Sequence, residues 1–338
     1  MSINIQNLNR KSVIKMKKAA LFGGIVGGVA AAGTAAALIG AKTLFDRVIP
    51  RQDGVKVDLN EMADMQKWEE YKKTIGVRKE WLLQQPYENI DITARDGIRL
   101  HGYYIPAEKQ SDRLVIGLHG YTSEGFGSFA AHAYFFHKQG FDVLTIDLRA
   151  HGQSEGDYIG FGVLDRFDCL EWINYVEKRF DGQKRIMLHG TSMGAATALM
   201  TLGFEELPKS VKCVISDCAY TSPYDVFVHI LKRDYHLPPF PVMNINSVIC
   251  KEKAGYSFND YSALTALRQT DRPVLIIHGA EDNFVPVSMS SELDIACASP
   301  HEVVIVPGAG HGASYYENAE IYEEAERRFI ENYIPEDK

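Results

Sequence analysis

Between residues 185 and 200 a short apolar run, Arg185–Leu188, passes through His189-Gly190-Thr191-Ser192-Met193-Gly194 and straight into the helix-forming stretch Ala195-Ala196-Thr197-Ala198-Leu199-Met200. A strand that turns into a helix within so few residues demands a tight turn. Glycines two residues either side of the serine let strand and helix approach, and the turn holds Ser192 in a strained conformation with its hydroxyl exposed. The same G-x-S-x-G spacing recurs at Gly152-Gln153-Ser154-Glu155-Gly156. No strand runs directly into that copy, and Asp157-Tyr158-Ile159-Gly160 after it reads as loop, so Ser154 is taken as a loop residue.

The rest of the chain from Arg113 onward supports a parallel sheet. Strands are predicted at Leu114–Leu118, Asp142–Ile146, Arg185–Leu188, Val211–Ser216, Val274–Ile277 and Val303–Val306. Helical stretches lie near Phe126–Gln139, Gly162–Phe180, Met193–Phe204, Ser288–Ala298 and Ser314–Tyr333. Strands so uniformly apolar are buried on both faces, which requires helices on both sides of a mostly parallel sheet. Upstream, Asn89–Thr93 and Ile98–Ile105 alternate around Arg95-Asp96-Gly97 and predict a hairpin. Residues 60–85 have a roughly helical spacing of Met62, Met65, Trp68, Tyr71, Ile75 and Trp81–Leu83, which suggests a linker helix laid against the body.

In an open α/β sheet chemistry collects at the carboxyl ends of the strands. A serine hydroxyl needs a base, and the base needs an orienting acid. Strand Val303–Val306 ends in Pro307-Gly308-Ala309-Gly310-His311-Gly312, so His311 is the candidate base. His101, His119, His189 and His278 also sit beside strand ends, but each adjoins a Gly turn where backbone hydrogen bonding accounts for it. Two acids follow the serine in chain order: Asp282, just past Val274–Ile277, is preferred, and Asp217, ending Val211–Ser216, is the alternative. Asp147 lies upstream and is read as a brace for the loop after it. Backbone amides of Met193, at the start of the helix after the serine, and of Tyr121, in His119-Gly120-Tyr121-Thr122-Ser123, are placed to stabilise an oxyanion.

The amino terminus reads as an address. Residues Ala19–Gly40 run 22 positions without a charge behind Arg10, Lys11, Lys15, Lys17 and Lys18. A helix of that length spans about 33 Å, enough for a bilayer core. The flanking bases predict a cytoplasmic tail (1–18), a single-pass anchor (19–40), a stalk (41–87) and an extracytoplasmic catalytic body (88–334) at the cell membrane. Eight alanines and six glycines make the run only weakly apolar. A cleaved signal peptide near Ala35–Ala37, giving a secreted protein, and a buried soluble helix therefore stay open. Beyond residue 50 there are 29 bases against 43 acids, which excludes a nucleic-acid partner. Five cysteines without a CxxC pair describe no disulfide framework. No metal-ligand cluster or dinucleotide fingerprint is present, so no cofactor is expected, and the sequence is silent on oligomeric state.

Together HGYTSEG (119–125), DLRAHGQSEG (147–156), GTSMG (190–194), HGAEDNFVP (278–286) and GAGHG (starting at Gly308, with Gly310-His311-Gly312) resemble the α/β-hydrolase superfamily, in its bacterial branch of esterase, thioesterase and aminopeptidase-like serine hydrolases. The resemblance spans most of residues 88–333. It implies Ser192 as nucleophile, Asp282 as acid, His311 as base, and Tyr121 and Met193 as oxyanion donors. It also implies a lid after the sixth strand, at roughly 220–260, whose aromatic residues line an apolar pocket or pack on the lid itself. The expected activity is cleavage of a small-molecule ester or related acyl substrate through an acyl-enzyme. Peptide cleavage on the same triad, or a catalytically silent interaction protein on this fold, are the alternatives.

Overall fold

The computed structural model describes residues 37–52 and 65–336; the basic tail and most of the uncharged run, 19–36, lie outside the described residues, as does 53–64 of the stalk. Helix α1 covers 37–48. After α2 (Met65–Leu83) come β1 (Glu88–Thr93), β2 (Arg99–Ile105) and β3 (Arg113–Leu118), then α3 (Gly125–Ser128), α4 (Ala130–Lys138) and β4 (Asp142–Ile146). The chain continues through α5 (Asp165–Arg179), β5 (Arg185–Thr191), α6 (Met193–Thr201) and β6 (Val211–Asp217). Helices α7 (Pro223–Tyr235), α8 (Val242–Ala254) and α9 (Ala263–Leu267) separate β6 from β7 (Val274–Gly279). The last elements are α10 (Ser288–Ala296), β8 (His301–Val306), α11 (Ser314–Glu317) and α12 (Ala319–Tyr333).

The strands form one sheet in the order β1-β2-β4-β3-β5-β6-β7-β8. The predicted hairpin is present: β1 pairs antiparallel with β2, Ile92 opposite Leu100, and Gly97 turns the chain at φ 89°. β2 joins β4 antiparallel, and every pair from β4 to β8 is parallel. The apolar strands divide their side chains between two cores, as a period of two requires. Leu114, Ile116, Leu118, Ile186, Leu188, Val274 and Ile276 join one cluster, with α6 residues Ala195, Ala198 and Leu199. Val115, Met187, Ile215, Leu275 and Ile277 join the other, with Leu82, Phe136, Phe329 and Ile330 from α2, α4 and α12.

Some helices differ from the sequence expectation at their ends, for local reasons. The stretch 126–139 breaks at Phe129 into α3 and α4. The stretch 314–333 breaks at Asn318, whose side chain caps α12 by accepting from Ile321 N at 3.1 Å. Gly162 is left-handed at φ 84° and donates its N–H to Asp165 Oδ2 at 2.7 Å, so α5 starts only after it.

The linker helix lies against the body as its spacing suggested, and so does α1, the helix before it. Helix α2 buries Leu82, stands Trp81 edge-on to Tyr134, and ties Lys67 to Gly308 O and Glu317. Helix α1 buries Ala37, Ala41 and Phe45 at a spacing of four, followed by Ile49, all within the first core. The last four residues of the uncharged run, 37–40, therefore lie on a helix packed against the body. Among the described residues no helix is long and apolar enough to cross a membrane.

Candidate active site

Ser192 sits between β5 and α6 with φ 55° and ψ −114°, a conformation costing about 1–3 kcal/mol that surrounding structure must hold. The two motif glycines hold it. A Cβ on Gly190 would lie 2.3 Å from Gly194 O, and one on Gly194 would lie 2.2 Å from Leu118 O, so strand, turn and helix approach at distances no side chain permits. Ser192 N–H donates to Asp217 O at 2.8 Å, fixing the turn to the end of β6.

The three residues read from separate strand ends converge. His311 Nε2 is 2.9 Å from Ser192 Oγ, and His311 Nδ1 is 2.7 Å from Asp282 Oδ2. Asp282 Oδ1 accepts from Phe284 N and Val285 N, each at 2.9 Å, so both carboxylate oxygens are committed. Burial would raise the Asp282 pKa, but the His311 charge and hydrogen bonds from His278 and His311 outweigh it and hold the carboxyl well below the usual range. The imidazole of His278, 3.3 Å from Asp282 Oδ2, is shifted the other way: burial lowers its pKa, and Asp282 more than offsets this. Phe284 lies against His311 with ring centroids 5.0 Å apart.

Asp217, the alternative acid, makes no hydrogen bond to His311. Its carboxylate accepts from Ser314 Oγ at 3.2 Å and Tyr322 OH at 3.3 Å, and burial pushes its pKa up to about 6 against the pull of His278 and those donors. Met193 is the first residue of α6, so its N–H has no intrahelical acceptor. Tyr121 lies on the loop after β3, and a Cβ on neighbouring Gly120 would stand 3.6 Å from Ser192 Cβ, which puts this loop against the serine. The Tyr121 hydroxyl donates to Val48 O of α1 at 3.1 Å, and burial raises its pKa to about 12.

The other histidines are occupied. His119 bridges Gly120 O at 2.7 Å and Leu148 N at 3.0 Å, and burial pulls its pKa down to about 4. His278 reaches Val285 O at 2.8 Å. For His101 and His189 the backbone explanation is incomplete: His101 Nδ1 bonds Asp91 at 2.7 Å, and His189 Nε2 faces Tyr322 OH and Glu326 inside the second core. Asp147 braces the loop after it, accepting from Gly125 N at 2.7 Å and Gln153 N at 2.8 Å.

Ser192, Asp282 and His311 are only 8%, 4% and 7% exposed, so the three groups are largely shielded from water. The segment between β6 and β7 carries α7 and α8 where a lid was expected, and its aromatics split. Phe227 and Phe258 meet edge-on with ring centroids 4.9 Å apart, Phe227 also meets Phe161, and Tyr256 OH donates to Ile159 O at 2.7 Å, so this group packs onto the body. Tyr235 and Phe240 are exposed. Sequence reasoning missed Cys218, the residue after Asp217, which clusters with Asp282 and His311; burial pushes its thiol pKa up and so disfavours the thiolate. Its place at a strand's carboxyl end was the available signal. A concavity of about 1090 Å³ lies at the opposite, amino ends of the strands beside Arg113, Asp142 and Lys184 and touches none of these groups.

An eight-stranded, mostly parallel sheet with a serine on the turn after β5 and acid and histidine after β7 and β8 defines the α/β-hydrolase superfamily. Within it the chain belongs to the prolyl oligopeptidase family (Peptidase_S9), whose profile matches residues 127–337. It is 28% identical over 236 residues to the uncharacterized protein YqkD of Bacillus subtilis, covering 70% of this chain and 76% of that one. It is 24% identical over 262 residues to the α/β hydrolase domain-containing protein WAV2 of Arabidopsis thaliana, covering 74% and 80%. The fold is similar to that of the Pyrococcus furiosus esterase Pf2001, with a TM-score of 0.61, 24% identity and coverage of 75% and 93%. It is also similar to Est1E from Butyrivibrio proteoclasticus, determined with ferulic acid, at a TM-score of 0.58, 21% identity and coverage of 72% and 99%.

Proposed function

We propose that this protein is a serine hydrolase that cleaves an ester or related acyl substrate through an acyl-enzyme. The observation that carries the reading is the unbroken chain from Ser192 Oγ through His311 to Asp282. In the proposed mechanism His311 Nε2 takes the hydroxyl proton as Ser192 Oγ attacks the substrate carbonyl. The oxyanion is met by the N–H groups of Met193 and Tyr121, with the partial positive end of α6 behind the first. On collapse His311 returns the proton to the leaving group, and a water activated by the same imidazole then releases the acid. Asp282 holds Nδ1–H in place and stabilises the imidazolium, a role its depressed pKa suits.

Membership of the prolyl oligopeptidase family favours peptide cleavage as the second reading. An aminopeptidase needs an acidic site for a free amine. The lid acids Asp225, Asp234, Glu252 and Asp260 are instead interleaved with Lys232, Arg233, Lys251 and Lys253, with Arg233 against Asp234 and Lys251 against Asp260. Turnover of p-nitrophenyl esters of increasing chain length beside aminoacyl anilides tests the choice. Ester turnover exceeding anilide turnover by orders of magnitude is expected, and the reverse ranking selects the peptidase.

The uncharged run behind five bases further supports anchoring in the cell membrane with the body outside the cytoplasm. The full chain should then sediment with membranes and resist carbonate extraction. A soluble form beginning near residue 38 would select the cleaved signal instead.

A further inference from the structure

The lid carries an apolar point that the proposed chemistry does not use. Between α7 and α8 runs His236-Leu237-Pro238-Pro239-Phe240-Pro241, with Phe240 73% and Leu237 42% exposed and Tyr235 exposed beside them. A lone exposed apolar residue needs no explanation, but three within six residues at the tip of an insertion form a patch that water disfavours.

The backbone of this tip is partly bonded within the lid. Three prolines carry no N–H, Leu237 N–H is bonded to Leu231 O at 3.3 Å, and the carbonyls of Pro239 and Pro241 accept from Met243 at 2.7 Å and Ile245 at 3.1 Å. The Phe240 N–H and the carbonyls of His236, Leu237, Pro238 and Phe240 make no such bond among the described residues, so the tip suits the hydrated headgroup interface, where these groups keep water, rather than the hydrocarbon core. Arg47, Lys232 and Arg233 lie near the tip with two acids, Asp234 paired to Arg233 and Asp46 paired to Lys42, so the surplus of positive charge is small but suits anionic headgroups.

Chain connectivity says which surface lies nearby. The uncharged run ends at Gly40, four residues into α1, and α1 touches the lid twice: Arg47 Nη1 donates to Tyr235 OH at 3.3 Å, and Lys253 Nζ stands 5.3 Å from the Phe45 ring centre. Arg47 is ten residues into α1, about 15 Å along its axis from residue 37. Leu38 and Ile39, in the part of the run that lies on α1, are exposed. A cavity of about 490 Å³ opens between Arg47, Arg233, Asp234, Tyr235 and Asn283, the last adjacent in sequence to Asp282.

We propose that the lid tip, with Leu237 and Phe240 at its point, dips into the membrane to which the amino terminus is anchored, and that the substrate is an acyl lipid drawn from that bilayer past the Arg47–Arg233 cavity. This rests on the anchoring and hydrolase readings above.

The test uses the full chain reconstituted in vesicles of phosphatidylglycerol and phosphatidylcholine with brominated acyl chains. Phe240→Trp should add emission that is quenched relative to unbrominated vesicles, beyond any quenching of the native tryptophans; emission that is not quenched overturns the proposal whether or not the protein is a hydrolase. In unbrominated vesicles, the double variant Leu237→Ser, Phe240→Ser should turn over a vesicle-borne long-chain acyl ester at least tenfold more slowly than the unaltered chain. Its turnover of soluble p-nitrophenyl butyrate should stay within twofold. Equal effects on both substrates, or none on the vesicle-borne one, overturn it. Failure of the unaltered chain to cleave either ester would reject the hydrolase reading, and release by carbonate would reject the anchor, while the quenching result still decides the fate of the tip.

Discussion

Gly190–Gly194 and Gly152–Gly156 have the same G-x-S-x-G spacing, yet their serines live in opposite circumstances. Ser192 is strained, at φ 55°, and its hydroxyl meets an imidazole. Ser154 is buried with its hydroxyl fully spent: Oγ donates to Asp147 O at 2.6 Å and accepts from His101 N at 2.8 Å. The glycines differ as well. Gly190 and Gly194 are required because backbone meets backbone, whereas Gly152 is left-handed at φ 50° and a Cβ there would strike the Asp147 carboxylate at 2.3 Å. One motif compresses a strand–helix junction to present a hydroxyl to an imidazole; the other folds a loop over an aspartate. A residue pattern thus acquires chemical meaning only from the elements that flank it.

The sharpest way to break this contrast is to remove each hydroxyl. Ser192→Ala should lower kcat by about 10⁶ if the serine is the nucleophile, as loss of a triad member does elsewhere, and should abolish labelling by a fluorophosphonate probe. Labelling that survives Ser192→Ala and vanishes in Ser154→Ala would invert the roles of the two motifs.

The acid comes next. Asp282→Asn keeps the shape but lets His311 adopt the wrong tautomer, and should lower kcat by about 10⁴. Asp217→Asn should have an effect on kcat that is small beside it, because Asp217 faces Ser314 and Tyr322 rather than the imidazole. The opposite ranking would move the orienting role to the end of β6.

The same pair of acids separates in stability against pH. Asp282 has a folded pKa below its unfolded one, so its contribution is present above about pH 4 and is lost as the pH falls. Asp217 has the reverse sign. Held at about 6 rather than 3.8, it favours the folded state fully only below its unfolded pKa, and this is lost as the pH rises through 6. The stability of Asp217→Asn relative to the unaltered chain should therefore grow between pH 4 and 8, by up to about 3 kcal/mol in denaturant titrations. A difference independent of pH would mean that Asp217 is ionised in the folded protein throughout that range.

Much of the sheet and of the site was legible because the controlling physics is local. Apolar runs buried on two faces announce β3 to β7, and strand ends with chain order bring the site down to Ser192, His311 and one of two acids, Asp282 or Asp217. What stayed hidden depends on tertiary contacts. The burial of Ala37, Ala41 and Phe45 in α1 follows a helical spacing, but its alanines look the same in an apolar run headed for a bilayer. The partner of His189 comes from α12, far along the chain, and that of His101 from the facing strand of the β1–β2 hairpin, so a turn glycine beside each histidine misled. Helix ends at Phe129 and Asn318 turn on single backbone conformations that periodicity does not register.

The smallest expected effect completes the contrast between the motifs. Ser154→Ala removes two hydrogen bonds inside the loop that Asp147 braces, and leaves Asp147 O and His101 N–H buried with those partners missing. Each such group costs about 1–3 kcal/mol when stranded, and partial relaxation brings the expected total loss of stability to about 2 kcal/mol. Ester turnover should stay within about twofold, since the triad geometry does not pass through this hydroxyl and an effect acting only on folding leaves the folded fraction's rate unchanged. Measured together, the denaturation midpoint should fall and kcat should hold. A fall in kcat of ten times or more at unchanged stability would mean that the loop after β4 reaches the reacting centre through Thr122 N, which His151 Nε2 accepts at 3.1 Å beside the oxyanion loop.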